Sequence, residues 1–422
     1  MYDGAGMSVS IAPEPPRGKL RECPDCGLFQ HVPALRRGAA ARCLRCRAVL
    51  RRQRTDPHGR SLAFAVTGLL MLLLATQMPF LELELRGQGR MTTLVTGPVA
   101  LQQQGLWELS VVVLATTTLA PLAKLGAVAW VLAGLRLRRP PAHLRAVFRW
   151  VERLTPWAMV EVFLLGIFVA YTKLSDMAAV QVGGALYALG GLMLAMAATD
   201  AAMDHEAVWE ALERRLPPQV AVASQGGGAL RGCDCCGEVT RGGLVCGRCG
   251  TALRDRKPDS IGRTWALLAA AAILYVPANI LPVLTLVSFG QGSPDTILSG
   301  VMSLAGSGMW PLAGLVFFAS ITVPVLKLTG LLTLLVSTQR RARGRLVERT
   351  ILYRVVDSVG RWSMIDVFMI SILTALVRMG SLASIIPGPG VLAFCAVVIL
   401  TMFAAMSFDP RLMWDAAGQP RQ

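Results

Sequence analysis

Eight cysteines in four short knuckles are the residues of this chain best spaced for chemistry. Cys23-Pro-Asp-Cys26 is followed by Cys43-Leu-Arg-Cys46, and Cys233-Asp-Cys235-Cys236 by Cys246-Gly-Arg-Cys249. Two thiolates in a Cys-x-x-Cys turn clamp one side of a metal ion. Two such turns complete a tetrahedral four-thiolate shell of the zinc-ribbon type. Gly27, Gly237, Gly247 and Gly250 help the chain bend around the ion. The segments between knuckles are too short for a core, so metal binding supplies much of the folding energy. The expected ligands are Cys23, Cys26, Cys43 and Cys46 for one Zn2+, and Cys233, Cys236, Cys246 and Cys249 for a second. Four thiolates leave no open coordination position, so both ions are structural. Cys235 is a spare thiol in the third knuckle, and Cys395, alone in an apolar run, reads as core. Disulfides conflict with the reducing compartment expected from the topology below. A redox Cys-x-x-Cys would need a thioredoxin-like unit, which the sequence lacks.

A second set has the types for proton chemistry. Lys327 and Asp366 fall inside long apolar runs, accompanied by Ser320, Ser363 and Thr401. An ionisable group at mid-bilayer costs about 2.5–3.5 kcal/mol on insertion scales, so it tends to be partnered and to have a task. At a rise of about 1.5 Å per residue, Lys327 lies about 15 Å, Asp366 about 6–10 Å and Thr401 about 10 Å from the basic-loop end of their spans. In a regular helix Ser363 shares a face with Asp366, and Ser320 with Lys327. Pro324 frees a backbone carbonyl one turn before itself and opens a kink beside Lys327. These residues can be drawn as one polar track. It reads either as a proton relay, because a buried Lys–Asp pair has coupled protonation, or as a static ion pair that fixes helix packing. The first half of the chain has the counterparts Lys124 and Glu161, but Ala158 where the second has Ser363. A relay confined to one half therefore belongs to the second. Asp200 and Asp409 close the last span of each half, where they can cap it or pair with basic loops.

The elements that position these groups are apolar helices. Of 422 residues 54% are hydrophobic, and mean hydropathy is +0.52, too apolar for a soluble globule. Eight stretches reach the length of a bilayer helix: 62–80, 109–135, 156–173, 178–199, 264–282, 310–337, 362–378 and 385–408. The net charge of +16 sits mainly before Ser61 and in 136–153, 231–263 and 340–361. The positive-inside rule puts those loops and both termini in the cytoplasm. The same placement explains the basic charge without nucleic acid. The first sixty residues show no apolar core of a cleaved signal. There is no Gly-rich phosphate loop, so ATP is not a direct driver within this chain.

The halves repeat one another. Gly105-Leu106-Trp107 matches Gly308-Met309-Trp310, Pro121-x-x-Lys124 matches Pro324-x-x-Lys327, and Trp157-Ala-Met-Val-Glu161-Val-Phe163 matches Trp362-Ser-Met-Ile-Asp366-Val-Phe368. With an even number of spans in each, the two copies lie parallel in the membrane. Leu81–Leu85 alternates with period two, Gly87-Gln88-Gly89 supplies a turn, and Met91–Thr96 returns. Val283–Val287 with Gly290-Gln291-Gly292 repeats this. Each copy thus carries a small outward hairpin, either a solvated loop or a docking edge for an apolar cargo. The expected organisation is a disordered start (1–20), a ribbon (21–52), a four-helix module (60–210), a second ribbon (231–254), a second module (261–415) and a tail (416–422).

Two cysteine ribbons, each heading a four-span unit with Pro-x-x-Lys and Trp-x-Met-x-acid-Val-Phe, resemble the paraquat-inducible protein A family. The ending Phe408-Asp-Pro-Arg-Leu-Met-Trp-Asp415 resembles it too. The resemblance runs from Cys23 to Asp415. It implies an all-α integral protein of a Gram-negative inner membrane, with two tetraspan, claudin-like modules and short periplasmic strands. It implies an MCE-domain periplasmic tunnel protein as partner, phospholipid as cargo, and a role in envelope integrity. It also implies a proton-coupled mechanism through Lys327, Asp366, Ser363, Ser320 and Thr401. The short second ribbon with its extra Cys235 departs from the pattern. The leading expectation is a lipid-transport subunit that is not an enzyme. The rival is a scaffold that anchors the tunnel and moves nothing. A membrane enzyme or cysteine redox sensor is the third reading.

Overall fold

Each apolar run is punctuated at both ends by residues that stop or start a helix, and eight long helices result. The computed structural model describes residues 18–85, 88–175, 179–217, 228–288, 291–377 and 383–419. Eight helices are long and apolar enough to cross a membrane: Pro57–Gln77, Trp107–Gly134, Leu144–Thr172, Gly184–Ala202, Ser260–Ile280, Trp310–Gln339, Leu346–Leu376 and Pro389–Ser407. They are the first to eighth spans, and the chain is a multi-pass membrane protein. The first and fifth spans each follow an aspartate in the left-handed region, Asp56 (φ 49°) and Asp259 (φ 46°). The Asp56 carboxylate accepts from Gly59 N at 3.1 Å, which satisfies a free donor of the first turn.

The two modules follow one plan. After its first span each makes an antiparallel hairpin, Leu81–Leu85 with Gln88–Thr92 and Leu284–Ser288 with Gln291–Asp295. A short helix follows, Thr96–Gln103 or Ile297–Gly306. The next span carries a π-helical turn, Ala115–Leu119 or Phe318–Thr322, just before the proline and lysine. The third span of each module bends at a 3-10 turn, Thr155–Trp157 or Gly360–Met364. A strand then returns to the hairpin, Ala179–Val182 or Ala383–Pro387, and completes a three-stranded sheet. That third strand was absent from the sequence expectation, which put 179–182 inside a helix. The hairpins form, but the first return strand is Gln88–Thr92 where Met91–Thr96 was expected, because Thr96 already starts the next helix; the turn glycines Gly87 and Gly290 lie outside the described residues, as do most of 1–20 and the end of the tail.

The modules meet along the seventh span, where every residue from Ile365 to Leu376 is buried. Gly166 of the third span lets the two helices approach, since a Cβ there would come within 3.0 Å of Phe368 Cβ. Phe163 packs edge-on against Phe368, with ring centroids 5.5 Å apart. Helix Thr96–Gln103 packs on the same span, with Gly97 over Ser371.

The sheets lie at one end of the bundle and the cysteine ribbons at the other. The ribbons are crossed. Ribbon 2, which follows module 1 in sequence, packs on module 1. Arg248 pairs with Glu206 (3.1 Å) and Glu213 (3.3 Å), and Arg149 donates to Gly250 O. Ribbon 1, which precedes module 1, sets its cysteines against module 2. Arg354 donates to Asp25 (2.7 Å) and to Cys46 O (3.1 Å). Arg45 stacks over Trp414, and the four cysteines share a buried cluster with Leu331, Leu334, Phe408 and Met413. The outer face of ribbon 1 keeps a tie to module 1 through Arg21 with Glu206 and Lys19 with Glu210.

Candidate functional site

The cysteines are placed by tight turns that return the chain on itself. Gly27 N bonds to Cys23 O, Arg47 N to Cys43 O, Gly237 N to Cys233 O and Gly250 N to Cys246 O. The residue closing each turn has positive φ: Gly27 (71°), Gly237 (68°), Gly250 (74°) and, without glycine, Arg47 (59°). In each ribbon the four Sγ atoms lie within 4.8 Å of one another. Closest approaches are 3.5 Å for Cys23–Cys46 and Cys26–Cys43, 3.4 Å for Cys233–Cys249 and 3.5 Å for Cys236–Cys246. A tetrahedral ion with metal–sulfur bonds of about 2.3 Å needs sulfurs about 3.8 Å apart. All eight thiols are free and buried. The donor set and its geometry fit a metal ion at each site.

A band of charges welds the ribbons to the bundle. Arg411 grips Asp409 through two hydrogen bonds of 3.0 Å and reaches Glu22 (3.4 Å) and Asp234 (3.1 Å). Arg256 joins Glu22 to Asp415. Burial alone would raise the Asp409 carboxyl, but the Arg411 guanidinium holds it below the usual carboxylate range. On the module 1 side, burial disfavours protonated His205, yet Glu152 at 2.6 Å outweighs it and raises His205 above its ordinary value.

The two intramembrane lysines are equivalent in sequence and differ in surroundings. Lys124 is buried and donates to Asp200 at 2.8 Å, across the bundle to the fourth span. Asp200 therefore pairs with a buried lysine, where the sequence pointed to a cap or a basic loop. Lys327 is equally buried, but its Nζ has no hydrogen-bond partner among the described residues. The position matching Asp200 is Ala405. No hydrogen bond or ion pair joins Lys327 to Asp366. Lys327 Nζ instead faces Gly360, where a Cβ would lie 3.8 Å away. Behind Gly360 is a cavity of about 280 Å³ between the modules, lined by Thr155, Asp357, Gly360, Met402 and Ala405.

Asp366, buried in the first turn of its helix, lines a different and narrower cavity of about 40 Å³. That cavity runs under the module 2 sheet beside Leu284, Ile297, Leu304, Met369 and Phe394. Ser320 and Thr401 donate to carbonyls of their own helices, Val316 O (2.7 Å) and Val398 O (2.9 Å), while the buried Ser363 hydroxyl has no hydrogen-bond partner among the described residues. The helices carrying Lys327, Ser363 and Thr401 pack on one another. Glu161 is half-buried at the start of its helix. Sequence reasoning passed over Asp357 and Gly360. The signal that could have found them is the repeat itself, which aligns Gly360 with Thr155 and Asp357 with Glu152.

Comparisons with known proteins agree with this architecture. A family profile described as paraquat-inducible protein A matches residues 59–213 and 261–418. The intermembrane transport protein PqiA of Escherichia coli (strain K12) is 36% identical over 400 residues, covering 93% of this chain and 95% of that protein. The lipophilic envelope-spanning tunnel protein A of the same organism is 35% identical over 410 residues, covering 96% and 94%. A probable intermembrane transport protein of Haemophilus influenzae is 27% identical over 413 residues, covering 94% and 96%. No solved structure matches the chain. Two matched four-span modules and full-length relatives settle its lineage: the chain belongs to the paraquat-inducible protein A family.

Proposed function

We propose that this chain is the inner-membrane component of an intermembrane phospholipid transport system. It passes lipid between the bilayer and an MCE-domain tunnel protein that spans the periplasm, and so supports the envelope. The relatives' names, intermembrane transport protein and envelope-spanning tunnel protein, support the transport class. The basic loops favour cytoplasmic ribbons and termini, and the two four-thiolate sites favour structural Zn2+. Folded ribbons at 21–52 and 231–254 then brace modules at 60–210 and 261–415.

The observation that carries the mechanism is Lys327, a buried amine with no hydrogen-bond partner among the described residues. A group so placed changes its charge at lower cost than one locked in an ion pair. Proton exchange through Lys327, Asp366, Ser363, Ser320 and Thr401 biases a two-state packing of module 2 around the apolar cavity under its sheet. Lys124 and Glu161 hold module 1 in one state. To test this, Asp366→Asn is compared with the unaltered chain in lipid transfer and envelope integrity, with protein amounts matched. Loss of transfer with a normal fold supports the relay, and full transfer removes it.

The rival scaffold reading has one observation in its favour. The third and seventh spans pack closely at Gly166, which closes the seam between the modules at that level. A scaffold predicts that relay substitutions change abundance or tunnel assembly and never transfer at matched assembly.

A further inference from the structure

The two modules differ at three positions on the ribbon side of their equivalent lysines, and two of the differences take a partner or bulk from beside Lys327. Asp200, which binds Lys124, becomes Ala405. Thr155, whose hydroxyl donates to Val151 O, becomes Gly360. His205, which pairs with Glu152, becomes Pro410. Two of the replacements, Ala405 and Gly360, line the 280 Å³ cavity between the modules, together with Asp357, the counterpart of Glu152.

We propose that this cavity is a water-filled access path from the ribbon side to Lys327, with Gly360 as its window. A cavity of this size, open on one side, holds several waters where polar groups bind them. The Asp357 carboxylate and the Ser358 and Thr155 side chains line it, and the Lys327 amine lies just behind Gly360. Gly360 has ordinary helical dihedrals (φ −51°, ψ −37°), so its backbone does not require glycine. What the absent side chain provides is a gap. The vacant Cβ position lies 3.8 Å from both Cε and Nζ of Lys327 and 3.9 Å from Met402 Cγ. An alanine fits there without displacing anything, and a branched side chain of threonine size, which module 1 has at the matching Thr155, closes the gap. The path enters module 2 from the side opposite the Asp366 cavity. Lys327 thus lies beside the pocket toward the ribbons, and Asp366 beside the narrow apolar one under the sheet. This deepens the relay reading by naming the face through which Lys327 exchanges protons, but the path itself stands whether or not a relay uses it.

The experiment is hydroxyl-radical footprinting of the full chain in bilayers, with radicals made from water by X-rays and oxidation read by peptide mass spectrometry. In the unaltered protein Lys327 and Met402 are expected to be oxidised despite their burial. Gly360→Val should lower Lys327 oxidation several-fold while Met406, at the mouth, stays unchanged. Gly360→Ala serves as the variant with an unaltered fold and is expected to lie between the two. A protected Lys327 in the unaltered chain overturns the inference, and so does an oxidation level that Gly360→Val leaves alone. Lipid transfer by the same variants separates the two readings. A Lys327 that is wet in the unaltered chain and dried by Gly360→Val with normal transfer keeps the path and ends the relay, whereas a Lys327 that stays wet in Gly360→Val ends the path and leaves the relay to be judged on Asp366→Asn.

Discussion

Lys124 and Lys327 arose from one ancestral position and now occupy opposite situations. Module 1 neutralises its buried amine with Asp200 and has Thr155 at the position of Gly360. Module 2 withdraws both groups and adds hydroxyls at Ser363 and Thr401, where module 1 has Ala158 and Met196. On the proposed reading, duplication divides labour. One copy holds its amine in a closed ion pair, and the other gives up that pair for a group that changes charge.

The sharpest way to break this contrast is to give module 2 what module 1 has. Ala405→Asp places a carboxylate where Asp200 stands, and the expected result is a more heat-stable protein that has lost lipid transfer. A variant that is both paired and active would refute the division of labour. Next comes the reverse change. Asp200→Asn strands the Lys124 amine, and because Asp200 is itself half-exposed the cost should be about 1–2 kcal/mol, seen as a lower melting temperature. Lys327→Met, by contrast, should leave melting unchanged or raise it, since no partner is stranded. Equal destabilisation by the two substitutions would mean that the lysines are equivalent after all.

The crossed ribbons allow a smaller and more local comparison. Cys46→Ser should lower metal content by one ion and raise hydrogen exchange around Arg354 and Trp414 in module 2. Cys249→Ser should do so around Glu206 and Trp209 in module 1. Exchange rising in the same module for both would contradict the crossing. The smallest effect is with pH. His205 has a raised value, so its stabilisation of module 1 is fully present below its ordinary 6.5 and is lost as pH rises through the raised value. Asp409 has a lowered value, so its contribution to module 2 is present above the usual carboxylate range and is lost as pH falls through the lowered one. Exchange near His205 should therefore quicken on going to alkaline pH, and exchange near Arg411 on going to acid. His205→Ala should flatten the first profile only.

The local features of this molecule were legible in its sequence, because local spacing encodes them. Knuckle cysteines, apolar runs and the alternating Leu81–Leu85 each carry their own period. The features that escaped are those joining distant residues. Ala179–Val182 is too short to announce itself as a strand, and its partner Leu81–Leu85 is far away in the chain. The Asp200 carboxylate finds Lys124 only once the second and fourth spans pack. The π turn at Phe318–Thr322 slips the helix face by a fraction of a turn, which composition does not record. The expected pairing of Lys327 with Asp366 assumed regular helices throughout. A 3-10 turn at Gly360–Met364 and the π turn lie between those residues and that geometry.

The crossing of the ribbons also orders the birth of the protein. Ribbon 1 leaves the ribosome first, yet the surfaces that receive its cysteines, around Arg354 and Trp414, are made last. The early ribbon has to wait while the eight spans that follow it are inserted. A chain cut short before Trp414 leaves that ribbon without its docking surface. Closure of ribbon 1 on Trp414 thus acts as a seal that only a copy extended past the eighth span can set.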